Sequence, residues 1–137
     1  MTRHEFRATA MKKGYIYVGT IAEKRKKNTI HPIICLENTQ SGTQNFNACI
    51  VSTDGPGQGR DNIPMKKEHF EKKDANGNLY KFQYKNTHLI KRNYSKDVVW
   101  INPIPIGQLS SSGIDFVDNY TQTFGQVIHS SKPIWEE

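Results

Sequence analysis

Two short apolar runs, separated by a stretch of turn-forming residues, restrict this chain to short strands. The first run, HPIICL, covers His31–Leu36, and the second, FNACIVST, covers Phe46–Thr53. Between them lies NTQSGTQN at Asn38–Asn45, which is rich in residues that favour turns. Apolar runs of this length, bounded by turn formers, are typical of strands. We therefore predict that the two runs form an antiparallel hairpin at the core of the fold.

Further short elements are predicted on both sides of this hairpin. The turn DANGN contains the Asn-Gly pair of a tight hairpin, and the run LYKFQY after it alternates apolar and polar residues as a half-buried strand does. A helical turn is expected around Lys66–Phe70. Additional strands are predicted at 14–21, 79–84 and 86–90, with a last short strand or edge at 98–101 and a short extended piece at 63–65.

One amphipathic helix is predicted near the C-terminus. Ser112 and Asp115 have the S-x-x-D spacing of a helix start. The apolar residues that then recur at helical spacing are Phe116, Val117, Tyr120, Phe124, Val127 and Ile128. We expect this face to pack on the sheet. Several short strands and one late helix predict a mainly β fold, a small SH3-like, partly open barrel with a C-terminal amphipathic helix. No repeat or linker divides the chain, so residues 1–137 are expected to form a single domain.

Membrane, disulfide and metal classes are not expected from this sequence. No apolar run approaches the roughly 18 residues of a membrane span, and MTRHEFRATAMKKG lacks the apolar stretch of a signal peptide, so a cytoplasmic location is expected. Cys35 and Cys49 lie inside apolar runs without CxxC spacing, which predicts buried thiols. The histidines without the spacing of metal ligands are His4, His69, His88 and His129.

The positive charge of the chain is unevenly distributed. The formal net charge is +6, and residues 1–30 carry eight Lys/Arg against two Glu, whereas residues 101–137 carry one Lys against four acids. The run EKRKKN at Glu23–Asn28 has no apolar periodicity and is predicted to be an exposed loop. A basic surface attracts polyanions, although solvated lysines that only aid solubility remain the alternative.

Three segments resemble a known family. Gly14–Tyr15–Ile16 is similar to a G-[DE]-[IV] opening, and His31–Leu36 is similar to R-P-[VA]-[VI]-[VI]-[LI]. Ala48–Thr53 is similar to a strand that ends in P-[LIV]-[ST]-T. With the order of elements, these segments resemble the MazF/PemK family of bacterial toxins, also called Kid/CcdB-like, which are small SH3-like barrels with a terminal helix. The resemblance covers about the first half of the chain.

The resemblance implies a metal-independent and cofactor-free endoribonuclease that arrests growth by cutting single-stranded mRNA. It also implies a homodimer held inactive by a cognate antitoxin protein. The chain departs from the family at His31, where the family has arginine. A histidine can accept or donate the proton in RNA cleavage, but it lacks the permanent charge and the two-pronged phosphate contact of arginine. Arg25 or Arg60 would then have to supply that charge.

The predicted hairpin brings the candidate catalytic residues to one end of the sheet. His31 begins one strand and Thr53 ends the next, and in an antiparallel pair these positions are neighbours. The predicted catalytic residues are therefore His31, Thr53 and Arg25. The predicted RNA-binding residues are Lys24, Lys26, Lys27 and Arg60. The alternative is a non-catalytic SH3-like module that binds nucleic acid or protein and has lost the catalytic arginine. The glycine-rich DGPGQGRDN lacks the GK[ST] of a nucleotide-binding loop.

Overall fold

The computed structural model describes residues 10–18, 32–52, 62–98 and 101–124, together with the backbone of 128–130. Within these ranges the structure is mainly β, with one α-helix and a short 3-10 turn at Lys67–His69. The elements are β1 (Tyr15–Tyr17), β2 (Ile33–Cys35), β3 (Asn45–Ser52), β4 (Ile63–Pro64), β5 (His88–Leu89), β6 (Tyr94–Asp97), β7 (Gly107–Gln108), α1 (Ser111–Thr121) and β8 (Ile128–Ser130).

The long strand β3 is the centre of the sheet. One edge of β3 pairs with β2, while the other edge pairs first with β6, through Asn45–Ala48, and then with β5, through Val51–Ser52. The main path runs β4-β5-β3-β2-β1-β7 with antiparallel neighbours, and β8 joins β6 in parallel. Because two strands share one edge of β3, the sheet curls into a small, partly open barrel. The predicted fold class is confirmed.

The sheet is buried on both faces, which explains why its strands are nearly continuous apolar runs. Neighbouring residues of one strand belong to different clusters, so that Ile33 and Cys35 face one cluster and Ile34 faces the other. The first cluster contains Met11, Tyr17, Ile33, Cys35, Phe46, Ala48, Ile50, Ile90, Tyr94, Val98 and Ile101. The helix-side cluster contains Ile16, Ile34, Cys49, Val51, Met65, Phe82, Leu89, Leu109, Val117 and Phe124.

The N-cap of α1 lies two residues before the predicted Ser112 cap. Ser110 is the N-cap, with an extended backbone and a side-chain oxygen that accepts the Gly113 amide at 3.2 Å. The Ser112 hydroxyl instead donates to the Glu68 carbonyl oxygen at 3.1 Å, so the predicted box with Asp115 is wrong. The Ser110 hydroxyl also donates to the Glu68 oxygen, at 2.6 Å, so the bond from the Gly113 amide is what distinguishes Ser110 as the cap.

The apolar face of α1 packs on the sheet, as expected, but the helix is shorter than predicted. Val117 is buried in the helix-side cluster, and Ile114 and Phe116 pack against that cluster. The helix ends at Thr121, where the Thr121 hydroxyl bonds back to a carbonyl of the last turn. Tyr120, predicted to lie in this face, is instead exposed. Of the other residues in the predicted face, Phe124 lies just beyond the helix, Val127 lies outside the described residues, and Ile128 belongs to β8.

One predicted strand differs from the structure. In LYKFQY only an isolated bridge pairs Leu79 with Lys73; the Tyr80 amide donates to the Lys72 carbonyl oxygen, but the Phe82 amide donates to the Ile106 carbonyl oxygen, so the segment has no single partner strand. Of the strand predicted at 98–101, residues 99 and 100 lie outside the described ranges, and β6 lies immediately before it. The sequence of β6, YSKD, has too few apolar residues to mark it as a strand, although Tyr94 and Lys96 are buried.

The β4–β5 connection, residues 65–87, contains the 3-10 turn and then a hairpin. Asp74 and Asn78 close a three-residue loop in which Gly77 has φ +83°, as the left-handed position of such a loop requires. The predicted Asn-Gly hairpin is confirmed. None of the helices in the described ranges has the length and hydropathy needed to cross a membrane.

Candidate functional site

The residues predicted from sequence to form the site lie outside the described ranges. These residues are His31, Thr53, Arg25, Lys24, Lys26, Lys27 and Arg60. Their proximity to one another therefore stays a prediction. What the structure describes is the framework next to two of them: Pro32, which follows His31, and Ser52, which precedes Thr53.

The start of β2 and the end of β3 lie at the same edge of the sheet. Ile33 is the cross-strand partner of Ile50, and the Val51 amide donates to the Pro32 carbonyl oxygen at 3.1 Å. The antiparallel register therefore continues to the last described residue on each strand. This edge is the one at which the sequence analysis expected the catalytic groups.

A histidine from a third strand lies at this edge. His88 in β5 is the direct cross-strand partner of Ser52 in β3, and on its other side it pairs with Pro64 in β4. Direct cross-strand partners project from the same face of a sheet. Both side chains are buried, since His88 is 5% exposed and Ser52 is 8% exposed. The imidazole ring of His88 is therefore held on β5, the strand that pairs with the last residues of β3.

The hydrogen bonding of His88 fixes which ring nitrogen carries the proton. Nδ1 lies 2.8 Å from the carbonyl oxygen of Asn86. A carbonyl oxygen can only accept, so Nδ1 must be the donor, and in the neutral ring Nε2 carries the lone pair. Within the described ranges, His88 makes no second side-chain hydrogen bond. Nε2 can therefore accept a proton, and the hydrogen bond from Nδ1 to Asn86 fixes the orientation of the ring.

The turn that supplies this carbonyl has an unusual backbone. Asn86 has φ +48°, in the left-handed region that asparagine tolerates better than most residues. On either side of it, the Lys85 amide donates to the Thr87 hydroxyl at 3.1 Å, and the Met65 amide donates to the Thr87 carbonyl oxygen at 2.9 Å. Thr87 is 1% exposed. The turn is anchored by buried hydrogen bonds, which holds the Asn86 carbonyl in place.

The other buried histidine among the described residues, His69, has a structural role. Its Nδ1 accepts the Lys66 amide at 2.9 Å, and its ring lies 4.4 Å from the ring of Phe116. Burial lowers the pKa of His69 below its ordinary value of 6.5. Because its lone pair already caps the 3-10 turn, His69 is not available as a base.

The two cysteines are buried thiols, as predicted. Cys35 and Cys49 are both 0% exposed and free. The Cys35 thiol donates to the Glu37 carbonyl oxygen at 3.0 Å, and burial raises its pKa to about 11. The Cys49 thiol donates to Asn93 Oδ1 at 3.2 Å, and burial raises its pKa to about 12. Neither thiol has the low pKa of a catalytic nucleophile.

The sequence spacing of His88 bears only on metal ligation and does not predict its place at this edge. Its proximity to Ser52 depends on strand pairing between distant parts of the chain. The local signal was Asn86, since an asparagine two residues before a strand histidine can provide an orienting carbonyl. Among the described residues, no three His, Cys, Asp or Glu side chains come together as a metal site would require.

No family model matches the chain, and no curated protein or solved structure is significantly similar to it.

Proposed function

We propose that this chain is a metal-independent endoribonuclease that cleaves single-stranded RNA by attack of a 2′-hydroxyl on the adjacent phosphate. The observation that supports the proposal is the oriented Nε2 of His88, which lies opposite Ser52 at the edge where β3 ends. Thr53 follows Ser52 in the chain, and His31 precedes the residue that pairs with this end of β3. A base therefore lies at the edge where the described parts of β2 and β3 stop, next in sequence to His31 and Thr53.

The proposed reaction needs a base, an acid and positive charge. His88 is 5% exposed, so the proposal requires that RNA binding uncovers its ring. His88 Nε2 then accepts the proton of the 2′-hydroxyl, whose oxygen attacks phosphorus to form a pentavalent phosphorane. The bond to the 5′-oxygen then breaks, and that oxygen takes a proton from the imidazolium of His31. The products are a 2′,3′-cyclic phosphate and a 5′-hydroxyl. Thr53 donates a hydrogen bond to the phosphorane, and Arg25 or Arg60 balances its negative charge.

The biological part of the proposal rests on the family resemblance. The protein would act in the cytoplasm as the toxin of a type II toxin-antitoxin system, as a homodimer held inactive by a cognate antitoxin. Induced expression is then expected to stop growth, and co-expression of a small protein encoded by the neighbouring gene is expected to restore it. Unimpaired growth at high expression of the folded protein would contradict the toxin assignment.

An RNA cleavage assay in EDTA tests the enzymatic part. Single-stranded RNA of varied sequence should be cut to 2′,3′-cyclic phosphate ends, and a 2′-deoxy nucleotide at the cut position should block cleavage. His88→Ala should slow cleavage about 10²–10⁴-fold, the usual contribution of a general base. His31→Ala and Thr53→Ala should also reduce it. The matched control is His4→Ala, which removes a histidine that has no proposed role.

The possible failures of this assay are separable. Cleavage that survives all three substitutions would contradict the assignment of the site. No cleavage of any RNA by the folded protein would contradict the enzymatic proposal. If that protein still bound RNA, the result would favour the alternative of a non-catalytic barrel.

A further inference from the structure

The β4–β5 connection carries a second concentration of positive charge. Residues 65–87 contain six lysines against Glu68, Glu71 and Asp74. All six lysine side chains are exposed: Lys66, Lys67, Lys72, Lys73, Lys81 and Lys85. The sequence analysis located the basic surplus only before residue 31, because it compared the two ends of the chain. The folded connection is a further basic surface.

This charge is not neutralised locally. None of the six lysines makes an ion pair within 4.0 Å in the described part of the chain, where the recorded pair joins Lys13 and Asp118 elsewhere. The Asp74 carboxylate accepts the backbone amides of Asn76 and Asn78, at 2.9 Å and 3.0 Å, so it is engaged within its own turn. The connection therefore presents lysines that are free to contact phosphates.

Aromatic residues alternate with these lysines along the connection. The ring of Phe70 is 5.4 Å from the ring of Phe82 and 6.0 Å from the ring of Tyr84. Phe82 is buried in the helix-side cluster, whereas Tyr84 is half-buried and directly precedes Lys85 in the chain. A partly exposed aromatic side chain next to lysines is the combination that binds single-stranded nucleic acids, through base stacking and phosphate contacts.

The connection begins and ends at the candidate site. Pro64 pairs with His88, and the Met65 amide donates to the Thr87 carbonyl oxygen at 2.9 Å. Lys66 follows Met65 in the chain, and the Lys85 amide is bonded to Thr87. The basic surface is therefore continuous with the edge that holds His88.

We propose that the β4–β5 connection is the surface that holds the RNA backbone beside the cleavage site, with Lys81 and Lys85 on phosphates and Tyr84 stacked on a base. This inference rests on the proposed function for its choice of RNA as the partner. Its binding step can nevertheless be measured without cleavage, because 2′-O-methyl RNA has no attacking hydroxyl and remains intact.

The test compares two double variants that lose the same net charge. Binding of fluorescent single-stranded 2′-O-methyl RNA is measured by anisotropy across a range of salt concentrations, for Lys81→Gln/Lys85→Gln and for the control Lys91→Gln/Arg92→Gln. Lys91 and Arg92 are exposed and lie outside the connection. Each lost phosphate contact lowers the slope of log Kobs against log salt by about 0.7, so the first variant should lose about 1.4 and the control almost none.

A second pair of variants tests the stacking. Tyr84→Ala should weaken binding about 5- to 150-fold, which corresponds to the usual 1–3 kcal/mol of one base stack, whereas Tyr84→Phe should keep most of the affinity. Circular dichroism of each variant shows whether it is folded. Equal losses for Tyr84→Ala and Tyr84→Phe would place the effect on the hydroxyl and overturn the stacking contact.

The outcomes separate this inference from the proposed function. Equal salt slopes for the two double variants, or no binding of RNA by the wild-type chain, would overturn the inference. If the two double variants had equal salt slopes but the protein still cleaved natural RNA, the enzymatic proposal would stand and the inference alone would fail. Selective loss of binding in Lys81→Gln/Lys85→Gln, without cleavage by the wild-type protein, would support the surface and contradict the nuclease.

Discussion

Replacing Gly113 by alanine tests the contact that joins α1 to the 3-10 turn. A Cβ atom at this position would overlap the carbonyl oxygen of His69 and lie 2.9 Å from the carbonyl carbon, whereas real Cβ contacts essentially never fall below 3.0 Å. Because these are backbone atoms, the helix and the turn must move apart. The movement would strain two bonds of Ser110: its amide to the His69 oxygen at 2.9 Å, and its hydroxyl to the Glu68 oxygen at 2.6 Å.

Opposing effects set the size of the change. Overpacking costs about 1–3 kcal/mol, each lost hydrogen bond costs about 1 kcal/mol, and alanine returns about 1 kcal/mol of helix propensity. We expect Gly113→Ala to lower the free energy of unfolding by about 2–4 kcal/mol. Urea unfolding followed by circular dichroism measures it, and Asn119→Ala, exposed on the same helix, should change stability by less than about 0.5 kcal/mol. A Gly113→Ala variant as stable as the wild type would refute the reasoning.

Three further predictions concern single groups. Since burial lowers the pKa of His69 and its Nδ1 accepts the Lys66 amide, the unfolded chain binds this proton more readily. The stability from this group is therefore complete above about pH 6.5 and is lost as the pH falls through the lowered pKa. Urea unfolding at pH 7.5 and 5.5 should show a smaller decrease for His69→Gln than for the wild type. Cys35 and Cys49, with pKa values raised to about 11 and about 12, should react with a thiol reagent at pH 8 only after unfolding, and prompt modification of the folded chain would contradict their burial. Gly77→Ala should cost about 1–2 kcal/mol, because φ is +83° although nothing lies within 4 Å of the added Cβ, and Gly77→Asn should cost less in the same unfolding assay.

The parts of the fold that depend on local pattern were predictable from the sequence. The hairpin of β2 and β3 follows from two apolar runs with turn formers between them, and the hairpin loop follows from the Asn-Gly pair before Asn78. The helix was placed by its apolar periodicity. The start of the helix was not predictable, because the Ser110 amide is bonded to the carbonyl oxygen of His69, which is distant in sequence.

The parts that depend on pairing between distant segments were not predictable. The alternation of LYKFQY is that of a strand, yet its Phe82 amide bonds to Ile106 outside any strand. The position of His88 opposite Ser52 requires the register between β5 and β3, which no local pattern contains. The catalytic roles of His31 and Thr53 came from a resemblance together with hairpin geometry, and they stay predictions.

The double burial of β3 has a consequence for how this sequence can diverge. From Phe46 to Ser52 every residue is at least partly buried, and the strand bonds to three neighbours, so nearly any change there disturbs two packed layers. The β4–β5 connection, with its many exposed residues, can change freely in comparison. We expect neutral variation in this chain to accumulate around β3 while the strand itself stays nearly fixed, so that distant relatives would share little more than its short hydrophobic signature.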